Sequence, residues 1–236
     1  MKNIQFEDLI LFENEDYIII NKPPHFSTLE DRHEAQNILD LAKSYSKEAQ
    51  VCHRLDKETS GCLAIAKHAE AYRNLAIQFE HREVIKVYHA VVEGLQDFKD
   101  TAVDRNLQSS AKGKAKVRVE GKPALTYFST VKKYQAHTLL ACRPVTGRLH
   151  QIRVHLSYLN APIVGDELYG GKHLYLSQLK RKFNLKKGSE ELPIMGRVAL
   201  HAQFLGFIGL SDEEVAVEAP YPKDFAVLIK QLEKTD

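Results

Sequence analysis

Cysteine is scarce: Cys52, Cys62 and Cys142 are the three in a chain of 236 residues. An odd number without C-x-x-C spacing supports neither a disulfide framework nor a structural zinc site. Reduced thiols in a cytoplasmic protein are the expectation. Long apolar runs are also missing. No stretch approaches ~18 consecutive apolar residues, and the opening MKNIQFEDLILFENEDY puts acids where a secretory signal needs an unbroken apolar segment. Neither secretion nor a membrane span is therefore expected. The eleven histidines include no H-E-x-x-H, and His150 and His155 are too far apart in helical phase to share a face, so no metal site is expected. No repeat at solenoid periods and no Gly/Ser- or Pro-rich linker divides the chain.

What is present is enough apolar material, 44% of residues, to bury a sizeable core, and one domain over 1–236 is the simplest organisation. The net charge of +2, from 33 basic and 31 acidic residues, conceals a division. Between Arg105 and Lys187 there are 17 basic and 3 acidic residues, a local net of +14, which leaves −12 for the remainder. Such asymmetry points to one face that meets a polyanion.

Periodicity outlines the elements. DYIII (16–20) reads as a buried strand ended by Asn21-Lys22-Pro23-Pro24, 37–47 as a helix, and CLAIA (62–66) as a short strand. Helical spacing from about 68 to 83 gives way to a two-residue alternation over 84–94, ended by Gly94. Further strands are predicted at about 115–119, 124–134, 137–143, 197–208 and 214–218, with helices at about 147–159 and 223–234. Strand-rich segments joined by a few helices, without strict β-α alternation, predict an α+β fold on a mostly antiparallel or mixed sheet.

Two clusters carry the chemistry. His53-Arg54-Leu55-Asp56-Lys57-Glu58-Thr59-Ser60-Gly61 packs cations, acids and hydroxyls into a loop before a strand. Gly147-Arg148-Leu149-His150-Gln151-Ile152-Arg153-Val154-His155 sets Arg148, His150, Gln151 and Arg153 opposite an apolar stripe. Each alone has a plain structural reading: a capped turn with a surface salt bridge for the first, a solvated helix face for the second. As a pair they resemble the two signature motifs of the RluA-type family of RNA pseudouridine synthases, H-R-L-D-x-x-T-S-G and G-R-x-H-Q-I/L-R-V-H. Supporting likenesses follow in the family's order: DYIIINKP (16–23), KVYHAVVEG (86–94), GKPALTYF (121–128), APIVGDELYG (161–170) and LHA (200–202).

The resemblance implies a pseudouridine synthase fold and isomerisation of uridine in ribosomal or transfer RNA, without cofactor or metal. Residue by residue, it implies that Asp56 is the catalytic aspartate and that Arg54 enters the stack which the target base leaves. It further implies that Tyr88 lies against the uracil and that Arg153 is the cation paired with Asp56. His53, Arg148, His150 and Gln151 join the RNA-binding set through the same motifs. The basic residues of 111–118 (Lys112, Lys114, Lys116, Arg118), at alternate positions, and those of 179–187 (Lys180, Arg181, Lys182, Lys186, Lys187), with Phe183 between them, suit a phosphate backbone; solvated surface runs are the alternative. His25 follows Asn21-Lys22-Pro23-Pro24 where the family usually has glycine, so a positive φ there would be adopted at a cost. No separate N-terminal RNA-binding domain is expected, and a monomer is. The rival from another class is a catalytically silent RNA-binding or RNA-folding protein on the same scaffold.

Overall fold

A computed structural model describes residues 4–30, 36–110, 113–180, 183–185 and 188–235. In chain order the elements are β1 (Ile10–Glu13), β2 (Tyr17–Lys22), α1 (Ile38–Tyr45), β3 (Gln50–Val51), β4 (Ser60–Ala66), α2 (Ala69–His81) and β5 (Ile85–Glu93). There follow β6 (Thr101–Asp104), β7 (Leu107–Ser109), β8 (Ala115–Val117), β9 (Leu125–Lys133), β10 (His137–Pro144), α3 (Gln151–Tyr158), α4 (Leu176–Leu179), β11 (Leu200–Ile208), β12 (Glu214–Glu218) and α5 (Lys223–Glu233). The chain forms two compact units, one reaching to Val87 and including His201–Pro220, the other comprising Tyr88–Leu200 and the chain from Tyr221 onward.

In the first unit β2 pairs antiparallel with β1 and β4, while β4 pairs in parallel with β11, so the sheet is mixed. β12 lies antiparallel on β11 and β3 on β4. The Tyr-Ile-Ile-Ile run of β2 is wholly buried because both of its faces are covered, as expected for a continuous apolar strand. Tyr17 and Ile19 pack with Cys62, Ala64, Leu75, Leu205 and Phe207. Ile18, Ile20, Leu63 and Ile65 are equally buried. Helix α1 starts where Asn37 accepts the Asp40 N–H through its side chain, a standard N-cap.

In the second unit β10 is antiparallel to both β5 and β9, and β6 extends β9. β7 and β8 form a separate two-stranded ribbon. The core joins Val91, Phe128, Leu140 and Leu156 to Phe225, Leu228 and Leu232 of α5. Arg197, 1% exposed, anchors α5 through Asp224, with Nε to Oδ2 at 2.7 Å and Nη2 to Oδ1 at 3.1 Å.

The predicted α+β class and mixed sheet match what is observed. Helix α3 begins at Gln151 rather than near 147 because His150, its N-cap, is left-handed with φ 53°. The polar side of that helix is not a solvated face: every residue from Gln151 to Leu156 is buried. Strands β1, β3, β6 and β7 and helix α4, each of two to four residues, are not among the predicted elements.

Candidate active site

The loop between β3 and β4 carries the first motif. Leu55, Thr59 and Ser60 are buried, Asp56 is half-buried and Arg54 is exposed. The loop is held at several points by the segment that follows β2. Lys22, fully buried, donates from Nζ to the carbonyls of Pro23 (2.9 Å), Phe26 (2.8 Å) and Lys57 (3.1 Å). The His25 N–H donates to the same Lys57 carbonyl at 2.9 Å. Thr28 Oγ1 donates to the Leu55 carbonyl (3.0 Å) and accepts from the Leu55 N–H (3.2 Å). Inside the loop, the Thr59 N–H donates to the Asp56 carbonyl, closing a turn around the acid. Charge-assisted hydrogen bonds of this kind are roughly twice as strong as the neutral bonds of a turn.

His53 fixes the loop's other end. Its Nε2 accepts the Ala64 N–H of β4 at 3.0 Å, and its ring lies against Phe79 of α2 with centroids 4.9 Å apart. Burial, together with the Lys86 charge, pushes its pKa down to about 3, so the ring is neutral as that accepted bond requires. Past the loop, Gly61 has φ +113° and a Cβ there would stand 2.1 Å from the Ala202 carbonyl oxygen, so only glycine fits. Ser60 Oγ meets His201 Nδ1 at 2.9 Å, and His201 Nε2 reaches the Ala219 carbonyl at 3.0 Å.

The second motif lies in the other unit. Gln151 is saturated: its Oε1 accepts from Thr146 Oγ1 (2.7 Å) and the Arg148 N–H (3.0 Å), and its Nε2 donates to the Leu125 carbonyl and Thr126 Oγ1 (both 2.9 Å). Arg153 makes a bidentate pair with Asp166, Nε to Oδ2 and Nη2 to Oδ1, each 2.7 Å, and its guanidinium lies 5.0 Å from the centroid of the Tyr169 ring. The Tyr169 hydroxyl meets His150 Nδ1 at 2.8 Å, and Arg148 Nε donates to the Pro123 carbonyl at 3.1 Å. Tyr88, half-buried on β5 opposite Cys142 of β10, packs on the second unit's core.

Sequence reasoning missed Lys22, Thr28, Asp166 and Tyr169. Lys22, Asp166 and Tyr169 belong to quoted motifs, NKP and GDELYG, which was the available signal; no motif marks Thr28. Lys116 is exposed on β8, and Lys114 and Lys180 are exposed beside β8 and α4. Lys112, Arg181, Lys182, Lys186 and Lys187 lie outside the described residues. Among the described residues, no group of three or more His, Cys, Asp or Glu is arranged to hold a metal, and no helix is long and apolar enough to cross a membrane.

The family profile described as RNA pseudouridylate synthase matches residues 16–158, which places the chain in a class of RNA-modifying isomerases. The chain belongs to the RNA pseudouridine synthase family. It is 35% identical to the ribosomal large subunit pseudouridine synthase C of Buchnera aphidicola subsp. Baizongia pistaciae, over 98% of this chain and 72% of that one. It is 34% identical to the ribosomal large subunit pseudouridine synthase D of Blochmanniella floridana, over 95% and 73%. Among solved structures it resembles human RNA pseudouridylate synthase domain containing 4, with TM-score 0.75, 26% identity and coverage of 97% and 95%.

Proposed function

We propose that this protein converts uridine to pseudouridine in structured RNA, with large-subunit ribosomal RNA as the favoured substrate and transfer RNA as the second class. The observation that carries the proposal is the β3–β4 loop. It presents Asp56 half-buried and Arg54 exposed two residues apart, on a backbone clamped by Lys22 and Thr28. The names of the two bacterial relatives favour the ribosomal substrate.

In the proposed reaction the bond from uracil N1 to the sugar C1′ breaks, the base turns, and C5 bonds to the same C1′. The proton leaves C5 and N1 ends protonated, so atoms and electrons balance within the nucleotide. Asp56 is the nucleophilic carboxylate that answers the positive character at C1′. A stacked base is out of reach, and extruding it costs a few kcal/mol. Arg54, planar and exposed, fills the vacancy, which a lysine would do less well. Tyr88 stacks on the uracil and relays the C5 proton. By the family resemblance Arg153 is assigned the role of the cation that opposes protonation of Asp56; within its own unit its guanidinium is oriented by Asp166. Lys114, Lys116 and Lys180 serve phosphates.

The test is tritium release from RNA labelled at uridine C5, prepared from cells lacking this protein. Wild-type protein is expected to release tritium, and Asp56→Ala to bind the RNA and release none. No release by wild type would refute the proposed activity, and release by Asp56→Ala near the wild-type rate would refute the nucleophile.

A further inference from the structure

Two lysines of the first unit that are withdrawn from solvent, one wholly and one partly, are treated very differently. Lys22 is saturated by three carbonyls, as a structural lysine should be. Lys86, second residue of β5, is half-buried, yet among the described residues its ammonium has no carboxylate within salt-bridge distance and no hydrogen-bond acceptor. Its Nζ lies 5.6 Å from the centroid of the Phe79 ring, the same ring that carries His53.

Among the described residues the groups around it supply no counter-charge. His53, from the β3–β4 loop, is the titratable group that senses Lys86, and it is neutral. Helix α2 offers Phe79, and β11 sets Gly206 against the start of β5. Burial alone lowers the Lys86 pKa to about 8. Keeping an ammonium under these conditions is unfavourable to folding, and a perturbed group beside a functional loop marks a place where a ligand completes the electrostatics.

We propose that Lys86 is a phosphate-binding residue of the RNA site: the ammonium over Phe79 receives a backbone phosphate of the substrate, beside the loop that carries Arg54 and Asp56. This rests on the function proposed above and deepens it. Position favours RNA as the source of the anion, since Lys86 shares the Phe79 ring with His53, whose chain neighbour is the exposed Arg54. Binding a phosphate restores an ordinary lysine pKa, so the complex takes up a proton from alkaline solution.

The experiment measures the affinity of Asp56→Ala protein for an unmodified large-subunit ribosomal RNA transcript at constant ionic strength, at about pH 7 and pH 9. A pKa of about 8 leaves roughly 0.9 of Lys86 charged at the lower pH and roughly 0.1 at the higher, so affinity should fall about tenfold. Adding Lys86→Arg should keep tight binding and remove most of that loss, because arginine does not titrate in the range. Adding Lys86→Met should weaken binding at pH 7 and abolish the pH response. Equal affinity of Lys86→Met and its parent at pH 7 would overturn the proposal. So would an equal pH loss in the parent and Lys86→Arg, a comparison that holds if Lys86→Met folds poorly. Tritium release by wild-type protein would leave the proposed activity standing in either case; a wild type that neither binds nor releases tritium would sink both.

Discussion

Replacing Asp166 with leucine removes the bidentate partner of the Arg153 guanidinium, and replacing Arg153 with methionine removes the bidentate partner of the Asp166 carboxylate. The pair is buried, side chains 10% and 1% exposed, and both contacts are 2.7 Å. Breaking such a pair from one side leaves a charge out of water without its partner, which costs about 3–5 kcal/mol. Removing both partners removes both uncompensated charges, and leucine and methionine refill the space. The double variant should therefore lose only about 1–2 kcal/mol, giving a coupling energy of at least about 4 kcal/mol between the two sites. The chain contains no tryptophan, so urea unfolding is best followed by far-ultraviolet circular dichroism. On the assignment of Arg153 made above, the double variant is also folded but inactive in tritium release, which separates the structural from the chemical use of the cation. A double variant as unstable as the sum of the single ones would refute the reasoning, since the pair would then be two independent contacts rather than one compensated unit.

His25 occupies a left-handed conformation, φ 65°, with its side chain exposed. Changing it to glycine relieves a strain of about 1–2 kcal/mol and gives back part in unfolded-state entropy, for a net gain of about 0.5–1 kcal/mol in unfolding free energy. A loss of stability in the same urea experiment would show that the histidine ring makes a compensating contact. His53 gives a pH dependence whose sign is fixed by its lowered pKa. The unfolded chain takes up a proton near pH 6.5 while the folded ring stays neutral to about 3, so stability is full above about 6.5 and falls as pH drops toward 3. His53→Gln should show a shallower decline between about pH 6.5 and 4, and an unchanged slope would remove His53 as its source.

The elements that could be read from the sequence are those long enough to show a period. β9 was expected at 124–134 and spans Leu125–Lys133; α5 was expected at 223–234 and spans Lys223–Glu233. The start of α3 could not be read, because the left-handed φ at His150 leaves no trace in hydrophobic spacing. Burial of its polar side was equally hidden. Gln151 and Arg153 look solvated until their partners, Thr126 and Leu125 on β9 and Asp166 beyond the helix, are brought to them by the fold. The first motif was recognisable as a loop with an acid in it, whereas its clamp was not. Lys22 and Lys57 are thirty-five residues apart, and the basic side chain of an N-K-P segment reads as surface.

The same distinction alters the meaning of the basic segment. A count of 17 cations between Arg105 and Lys187 treats them as equivalent toward a polyanion. The fold does not. Arg153 is buried against Asp166, with its side chain 10% exposed, and is not a surface charge. Arg143, Lys132 and Lys133 meet Asp100, Glu233 and Asp97, acids from outside the segment, in exposed pairs that are worth little and exchange readily. Arg105 lies across the exposed ring of Tyr158, its Nε donating to the hydroxyl at 3.0 Å. Among the described residues, exposed Lys114, Lys116, Arg118, Lys122, Lys172 and Lys180 remain as point charges. Electrostatic attraction of RNA therefore depends on a subset of the 17, and the slope of binding against salt should reflect a handful of released counterions, each contributing about 0.7–0.9 to it. On the proposal made above Lys86, outside the basic segment and with no acid at salt-bridge distance among the described residues, adds a phosphate contact that the charge count of the segment does not include.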